Sequence, residues 1–171
     1  MLKRSLLIIL PAENFNEKEY LTVKHILEIS GLKLFIASDA HTLCVGKNGL
    51  KVKADVSFFN MNVNNFAGIV FIGGSGVKKY WNNEHLQIII KKFYEKKKLV
   101  AAICSAPVIL ARAGLLEGKD ATCYPEDRRE MEKCGINYIY QSVVIQKNII
   151  TAQDSSSSQD FANAIVNFCW K

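Results

Sequence analysis

The chain is predicted to be an α/β protein, with a mostly parallel sheet covered by helices on both faces. Two observations carry this. Short, continuously apolar runs (Leu6–Leu10, Ala67–Ile72, Leu99–Ile103) alternate with segments whose apolar residues recur at helical spacing. Strands apolar on both sides belong in a sheet buried on both faces, and strand–helix alternation makes neighbouring strands parallel. A third observation concerns the organisation. Over 171 residues, 49% of them hydrophobic, no Pro- or Ser-rich linker separates two halves, so residues 1–171 form one domain around one substantial core.

The elements follow in order. Ser5–Leu10 is the first strand, ending at Pro11-Ala12-Glu13. Asn16–Ser30 is a helix, with Asn16 as its N-cap and Gly31 just past its end. Lys33–Ser38 is the second strand. Cys44–Val56 reads as a hairpin or irregular β excursion around Lys47-Asn48-Gly49, where Asn-Gly favours a tight turn. Ala67–Ile72 is the third core strand and runs into Gly73-Gly74-Ser75-Gly76. In Asn83–Lys98, Leu86, Ile89, Ile90 and Phe93 form an apolar stripe and leave the lysines on the opposite, solvated face. Leu99–Ile103 is a buried strand, and a helix follows Cys104. Further strands are expected at Ala121–Cys123, Val143–Gln146 and Ile149–Ala152, a short helix at Pro125–Lys133, and a last helix over Ser158–Phe168 capped by the hydroxyls of Ser156–Ser158.

Composition narrows the function. The basic residues behind the net charge of +6 sit in Lys91-Lys92, Lys96-Lys97-Lys98 and scattered loop positions; the lysine runs read as a solvated helix face, and no basic–aromatic strand motif supports nucleic-acid binding. The apolar run Leu6–Leu10 is shorter than a signal-peptide core, and no stretch approaches the ~20 residues of a membrane span. Five cysteines without a CxxC pair make a poor disulfide framework and a poor metal site. Free thiols in the cytoplasm, with no metal and no cofactor, are the expectation. Gly73-Gly74-Ser75-Gly76 lacks the spacing of a dinucleotide fingerprint.

Chemistry is expected where strands end, because ligands in open α/β sheets collect outside the carboxyl ends of the strands. Glu13, Gly73-Gly74 and Cys104 all lie there. Cys104 sits between a strand and a helix with the small residues Ala102 and Ala106 two positions either side, the layout of a nucleophile elbow. A helix starting beside the sulfur should favour the thiolate. Glu13 is the expected carboxyl partner, able to donate a hydrogen bond to that thiolate when protonated.

The segments ILPAENFNEKE, GIVFIGGSG, AICSAPVILARAGLLEGKDATCYP and NIITAQDSSSSQDFANAIV resemble the ThiJ/PfpI superfamily, in that family's order and over nearly the whole chain. The resemblance implies a flavodoxin-like three-layer sandwich, similar to class I glutamine amidotransferase domains, and a homodimer. It implies Cys104 as nucleophile with Glu13 as partner, and backbone donors from Gly74 and Ser105, with Gly73 shaping the approach. Two departures stand out. Peptidase-like members carry histidine directly after the cysteine, where this chain has Ser105. Glyoxalase- and deglycase-like members carry histidine before the proline of the segment Thr122-Cys123-Tyr124-Pro125, where this chain has Tyr124. His25, His41 and His85 lie elsewhere and are expected on surfaces or helix faces. Tyr124 lines the expected pocket, and Cys123 is either a resolving thiol or, more simply, core. Without a histidine base the resemblance implies two main functions: a redox-responsive protective protein in which Cys104 forms sulfenic or sulfinic acid, or a cysteine-dependent enzyme acting on small aldehydes or their adducts. An intracellular peptidase or amidase is the weakest of the three.

Overall fold

A computed structural model describes residues 4–39 and 43–171; His41 falls outside them. The chain begins with β1 (Ser5–Ile9), a short β2 (Glu13–Phe15) and α1 (Glu17–Ile29). There follow β3 (Lys33–Ser38), β4 (Leu43–Gly46), β5 (Lys51–Lys53), β6 (Val56–Ser57) and β7 (Gly68–Phe71). Next come α2 (Glu84–Glu95), β8 (Leu99–Ile103) and α3 (Pro107–Arg112). The chain closes with β9 (Asp120–Ala121), α4 (Arg128–Glu132), β10 (Asn137–Tyr138), β11 (Val143–Gln146), β12 (Ile149–Ala152) and α5 (Ser158–Cys169).

Seven strands form one sheet in the order β11-β12-β8-β7-β1-β3-β6, parallel except for the β11–β12 hairpin. Along each strand the side chains alternate between two cores. Leu7, Ile9, Phe71, Val100 and Ala102 pack with Leu86, Ile89, Ile90 and Phe93 of α2 and with α3. Leu6, Ile8, Val70, Ala101 and Ile103 pack with Tyr20, Val23 and Leu27 of α1 and with Phe161 and Ile165 of α5. The expected three-layer α/β sandwich is the observed one. At about 25 cal/mol per Å² of apolar surface, each such buried Leu, Ile or Phe contributes roughly 1.5–3 kcal/mol.

Three local expectations change. Cys44–Val56 does contain a hairpin, β4–β5, turning through Gly49 at φ +93°; but β4 also pairs with β2, so a small second sheet lies over the end of α1. The segment at Ala121–Cys123 does not enter the main sheet: Asp120 and Ala121 pair with β10 instead. The last helix is preceded by a 3-10 turn at Ser155–Ser157 whose N–H is capped by the Asp154 carboxylate, 2.8 Å from Ser156 N, rather than by the serine hydroxyls. Asn16 caps α1 as expected, accepting Glu19 N–H at 3.2 Å. Among the described residues no helix is long and apolar enough to cross a membrane.

Candidate active site

β8 ends at Ile103, and Cys104 turns sharply at φ +64°, a left-handed conformation that costs an ordinary side chain energy and marks a constrained turn. The turn is tied from both sides. Cys104 N–H donates to the Ala152 carbonyl at 3.0 Å, and the Cys104 carbonyl accepts Tyr124 N–H at 2.8 Å. Ala102 and Ala106, both fully buried, leave room for it. The elbow read from the sequence is therefore present.

The carboxyl group beside the sulfur is not Glu13. Glu13 lies exposed on β2, paired with Val45, and does not line the cavity that contains Cys104. Its place is taken by Glu19 of α1, 0% exposed, whose Oε2 accepts the Gly73 N–H at 2.8 Å while Oε1 has no hydrogen-bond partner among the described residues. Burial pushes the Glu19 carboxyl up to about 7, against the opposing pull of the Gly73 N–H and of a hydrogen bond with Cys104. Glu19 was legible only through periodicity. It stands four residues before Val23 and eight before Leu27, on the buried stripe of α1, yet its position three residues after the Asn16 cap gives it the look of a first-turn capping residue.

The expectation that the helix start favours the thiolate is also corrected. Burial, reinforced by the Glu19 charge, pushes the Cys104 thiol up to about 12; the N–H groups of Gly74 and Ser105 pull in the opposite direction. α3 has only six residues, and Ala106 N–H is already bonded to the Ile103 carbonyl, so little of a helix terminus faces the sulfur. Two buried groups this close do not readily both ionise: near neutral pH Glu19 is only partly ionised, and its charge holds the proton on Cys104.

Gly74 and Ser105 thus stand as backbone donors toward the sulfur. Gly73 is not one of them, since its N–H is committed to Glu19. What Gly73 provides is space: a Cβ there would come within 2.5 Å of Cys104 Cβ and 2.8 Å of Glu19 Oε2. Gly74, at φ +109°, turns the chain away from β7 with a Cβ position only 2.4 Å from the Asn14 carbonyl.

Above the sulfur lies a cavity of about 280 Å³, bordered by Asn14, Lys47, Ser75, Lys78, Tyr124 and Glu126 as well as Cys104 and Ser105. Its lining residues are mostly polar, but about half of the surface they present is apolar, which suits a small molecule with both hydrogen-bonding and carbon groups. Tyr124 reaches it, as expected from the sequence. Cys123 does not; it is fully buried in the core on the α2 side, with burial pushing its thiol up to about 12. Among the described residues no histidine lines the cavity: His25 is exposed on α1, and His85 packs on Phe59 with its Nε2 3.2 Å from the Phe58 carbonyl. No cluster of three or more His, Cys, Asp or Glu fit to hold a metal occurs among the described residues.

The order of these parts along the chain is that of one known family, whose model, described as the DJ-1/PfpI family, matches residues 4–168. The chain belongs to the DJ-1/PfpI family. Among family members, a protein of Methanocaldococcus jannaschii of uncharacterised function is 38% identical over 165 residues, covering 95% of this chain and 78% of that protein. A protein of Pyrococcus furiosus named deglycase PfpI is 32% identical over 147 residues, covering 86% of this chain and 89% of that one. The crystal structure of a ThiJ/PfpI domain protein from Brachyspira murdochii superposes with a TM-score of 0.93 at 34% identity, covering 96% and 95% of the two chains. Drosophila melanogaster DJ-1beta shares the fold, with a TM-score of 0.87 at 24% identity over 97% and 90% of the two chains.

Proposed function

We propose that this DJ-1/PfpI protein is protective and acts through Cys104 as an oxidation-responsive thiol. The observation that carries the reading is the buried Glu19 carboxyl against the Cys104 sulfur, with the Gly74 and Ser105 N–H groups on the same atom. When the shared proton rests on Glu19, the sulfur is a thiolate. It attacks one oxygen of hydrogen peroxide, the O–O bond breaks, and hydroxide leaves to be protonated to water, giving the sulfenic acid. A second peroxide repeats the transfer and gives the sulfinate. Backbone N–H groups and a neutral carboxyl are the donors such added oxygens need.

A second reading is favoured by the cavity of about 280 Å³ above the sulfur and by relatives named deglycases. In it the thiolate adds to the carbonyl carbon of a small aldehyde such as methylglyoxal, or of its adduct on a protein. The carbonyl π pair becomes an alkoxide, which takes the Glu19 proton to give a hemithioacetal. A peptidase or amidase is the least supported, since general-base help is worth ~10²–10⁴-fold and among the described residues no histidine lines the cavity.

The partner in this proposal is a second copy of the chain, supported by Leu21 at 51% and Ile29 at 70% exposure, with exposed His25 between them, along the outer face of α1. Five free cysteines suit a reducing, cytoplasmic setting.

Intact-mass measurement after graded peroxide, run beside methylglyoxal turnover, tests both readings. A gain of two oxygens at low peroxide that vanishes in Cys104→Ser, without turnover, supports the redox reading. A Cys104 that resists oxidation but consumes methylglyoxal overturns it in favour of the second.

A further inference from the structure

Beside Cys104 runs a chain of polar contacts that neither chemistry above has used. The Ser105 hydroxyl donates to Asp127 Oδ2 at 2.5 Å, and Asp127 Oδ1 accepts Lys78 Nζ at 2.6 Å. Asp127 is 3% exposed, whereas the Lys78 side chain is 42% exposed and borders the cavity together with Ser105. A carboxylate so deeply buried is costly unless partnered, and both of its oxygens are. From the other side, Trp81 Nε1 donates to the Ser105 carbonyl at 2.8 Å. The peptide joining Cys104 to Ser105 is therefore held at its oxygen by Tyr124 N–H and, beyond its nitrogen, by both ends of Ser105.

The N–H of that peptide adjoins the sulfur and, with the Gly74 N–H, pulls the proton affinity of the thiol down. The Ser105 hydroxyl directs its one O–H at Asp127 Oδ2 and so has none to donate to the sulfur. What it contributes is placement.

We propose that Asp127 is a positioning residue of the cysteine site: through the Ser105 hydroxyl it keeps the Ser105 N–H on the Cys104 sulfur, and Lys78 holds Asp127 in turn. This rests on Cys104 being the reacting group. At the position where peptidase-like relatives would carry a histidine base, this chain carries a donor clamp instead.

The charged and titratable groups around Cys104 are Glu19 from α1, Lys47 from the β4–β5 turn, Lys78 from the 3-10 turn Ser75–Tyr80, and Cys123, Tyr124, Glu126 and Asp127 from the segment before α4; Asp154 acts on Glu19. The test is the rate of iodoacetamide alkylation at Cys104 against pH, read by peptide mass spectrometry on the full chain. Ser105→Ala keeps every one of those charges and removes only the clamp. It is expected to slow alkylation at neutral pH about threefold to tenfold, the range of one neutral hydrogen bond, and to move the profile to higher pH. Ser105→Thr, which keeps the hydroxyl, restores the wild-type profile. Asp127→Ala is made together with Lys78→Met, so that no unpaired ammonium is left near the sulfur. That pair should reproduce the Ser105→Ala profile, and adding Ser105→Ala to it should change nothing more. Thermal unfolding of each variant separates a shifted profile from a damaged fold. A Ser105→Ala profile that superimposes on wild type overturns the proposal, as does an Asp127→Ala/Lys78→Met pair that leaves the profile in place. The redox reading fails separately, if wild-type Cys104 alkylates normally but never accumulates oxygen.

Discussion

Glu19 stands buried behind Cys104, which lines the cavity, the carboxyl fixed by the Gly73 N–H at 2.8 Å and the thiol by the turn that follows β8. Burial raises the proton affinity of both, and the carboxylate raises that of the thiol further. The arrangement makes the ionisation of either group depend on the other.

Replacing Glu19 by its neutral isostere removes that dependence. In Glu19→Gln the repulsion on the thiolate is gone, and a like charge at this range shifts a pKa by ~1–3 units. The alkylation profile of Cys104 should therefore move to lower pH by about one unit or more. Glu13→Gln, on an exposed strand, should leave the profile on that of wild type. The two variants measured side by side decide which carboxyl is the partner.

Stability should carry the same signature. Glu19 titrates near 4.5 when unfolded and at about 7 when folded, so between those values the folded state holds a proton that the unfolded state has released. Its contribution is fully present below pH 4.5 and is lost as pH rises through 7. At 1.36 kcal/mol per pKa unit the loss is about 3 kcal/mol. Urea unfolding at a series of pH values should show wild-type stability falling across this window, and Glu19→Gln should flatten the fall. An unchanged slope in the variant would assign it to other groups.

Gly73 is a packing requirement of the site. The Cβ of Gly73→Ala would lie 2.5 Å from Cys104 Cβ and 2.8 Å from both Glu19 Oε2 and the Ile103 carbonyl. Strand ends of a central sheet cannot retreat far, so the variant should lose ~1–3 kcal/mol in urea unfolding. On the proposed redox reading it should also lose most of the Cys104 response to peroxide, since the displaced groups are the pair that reading uses.

The cap of α1 is coupled to the site as well. The Asn16 side chain accepts Glu19 N–H at 3.2 Å, while the Asn16 N–H donates to the Gly73 carbonyl at 2.9 Å. Asn16→Ala removes the first contact and keeps the second. It should lower stability by ~1 kcal/mol and slow Cys104 alkylation in the same protein. A stability loss without a change in alkylation would show the cap to be independent of the carboxyl.

Strand and helix periods were legible in the sequence because burial acts on every residue of an element at once. Leu6–Leu10 and Leu99–Ile103 could only be strands buried on both faces, and the stripe Leu86, Ile89, Ile90, Phe93 could only face a core. Cys104 was legible for the same reason: a thiol flanked by alanines at the change from one period to another leaves few structural options. The carboxyl partner was not. Glu13 adjoins a strand end in sequence, but a short pairing with β4 turns it outward. Glu19 reaches the sulfur because α1 crosses the sheet face onto which Ile103 and Cys104 project. Asp127 was equally hidden, 22 residues from the Ser105 it holds. From the sequence alone come the segments that are strands and helices and the place of the turn at Cys104, since those follow from local period and turn chemistry. Only the tertiary structure decided which charges stand around the sulfur, because that depends on how elements distant in the chain pack across the sheet.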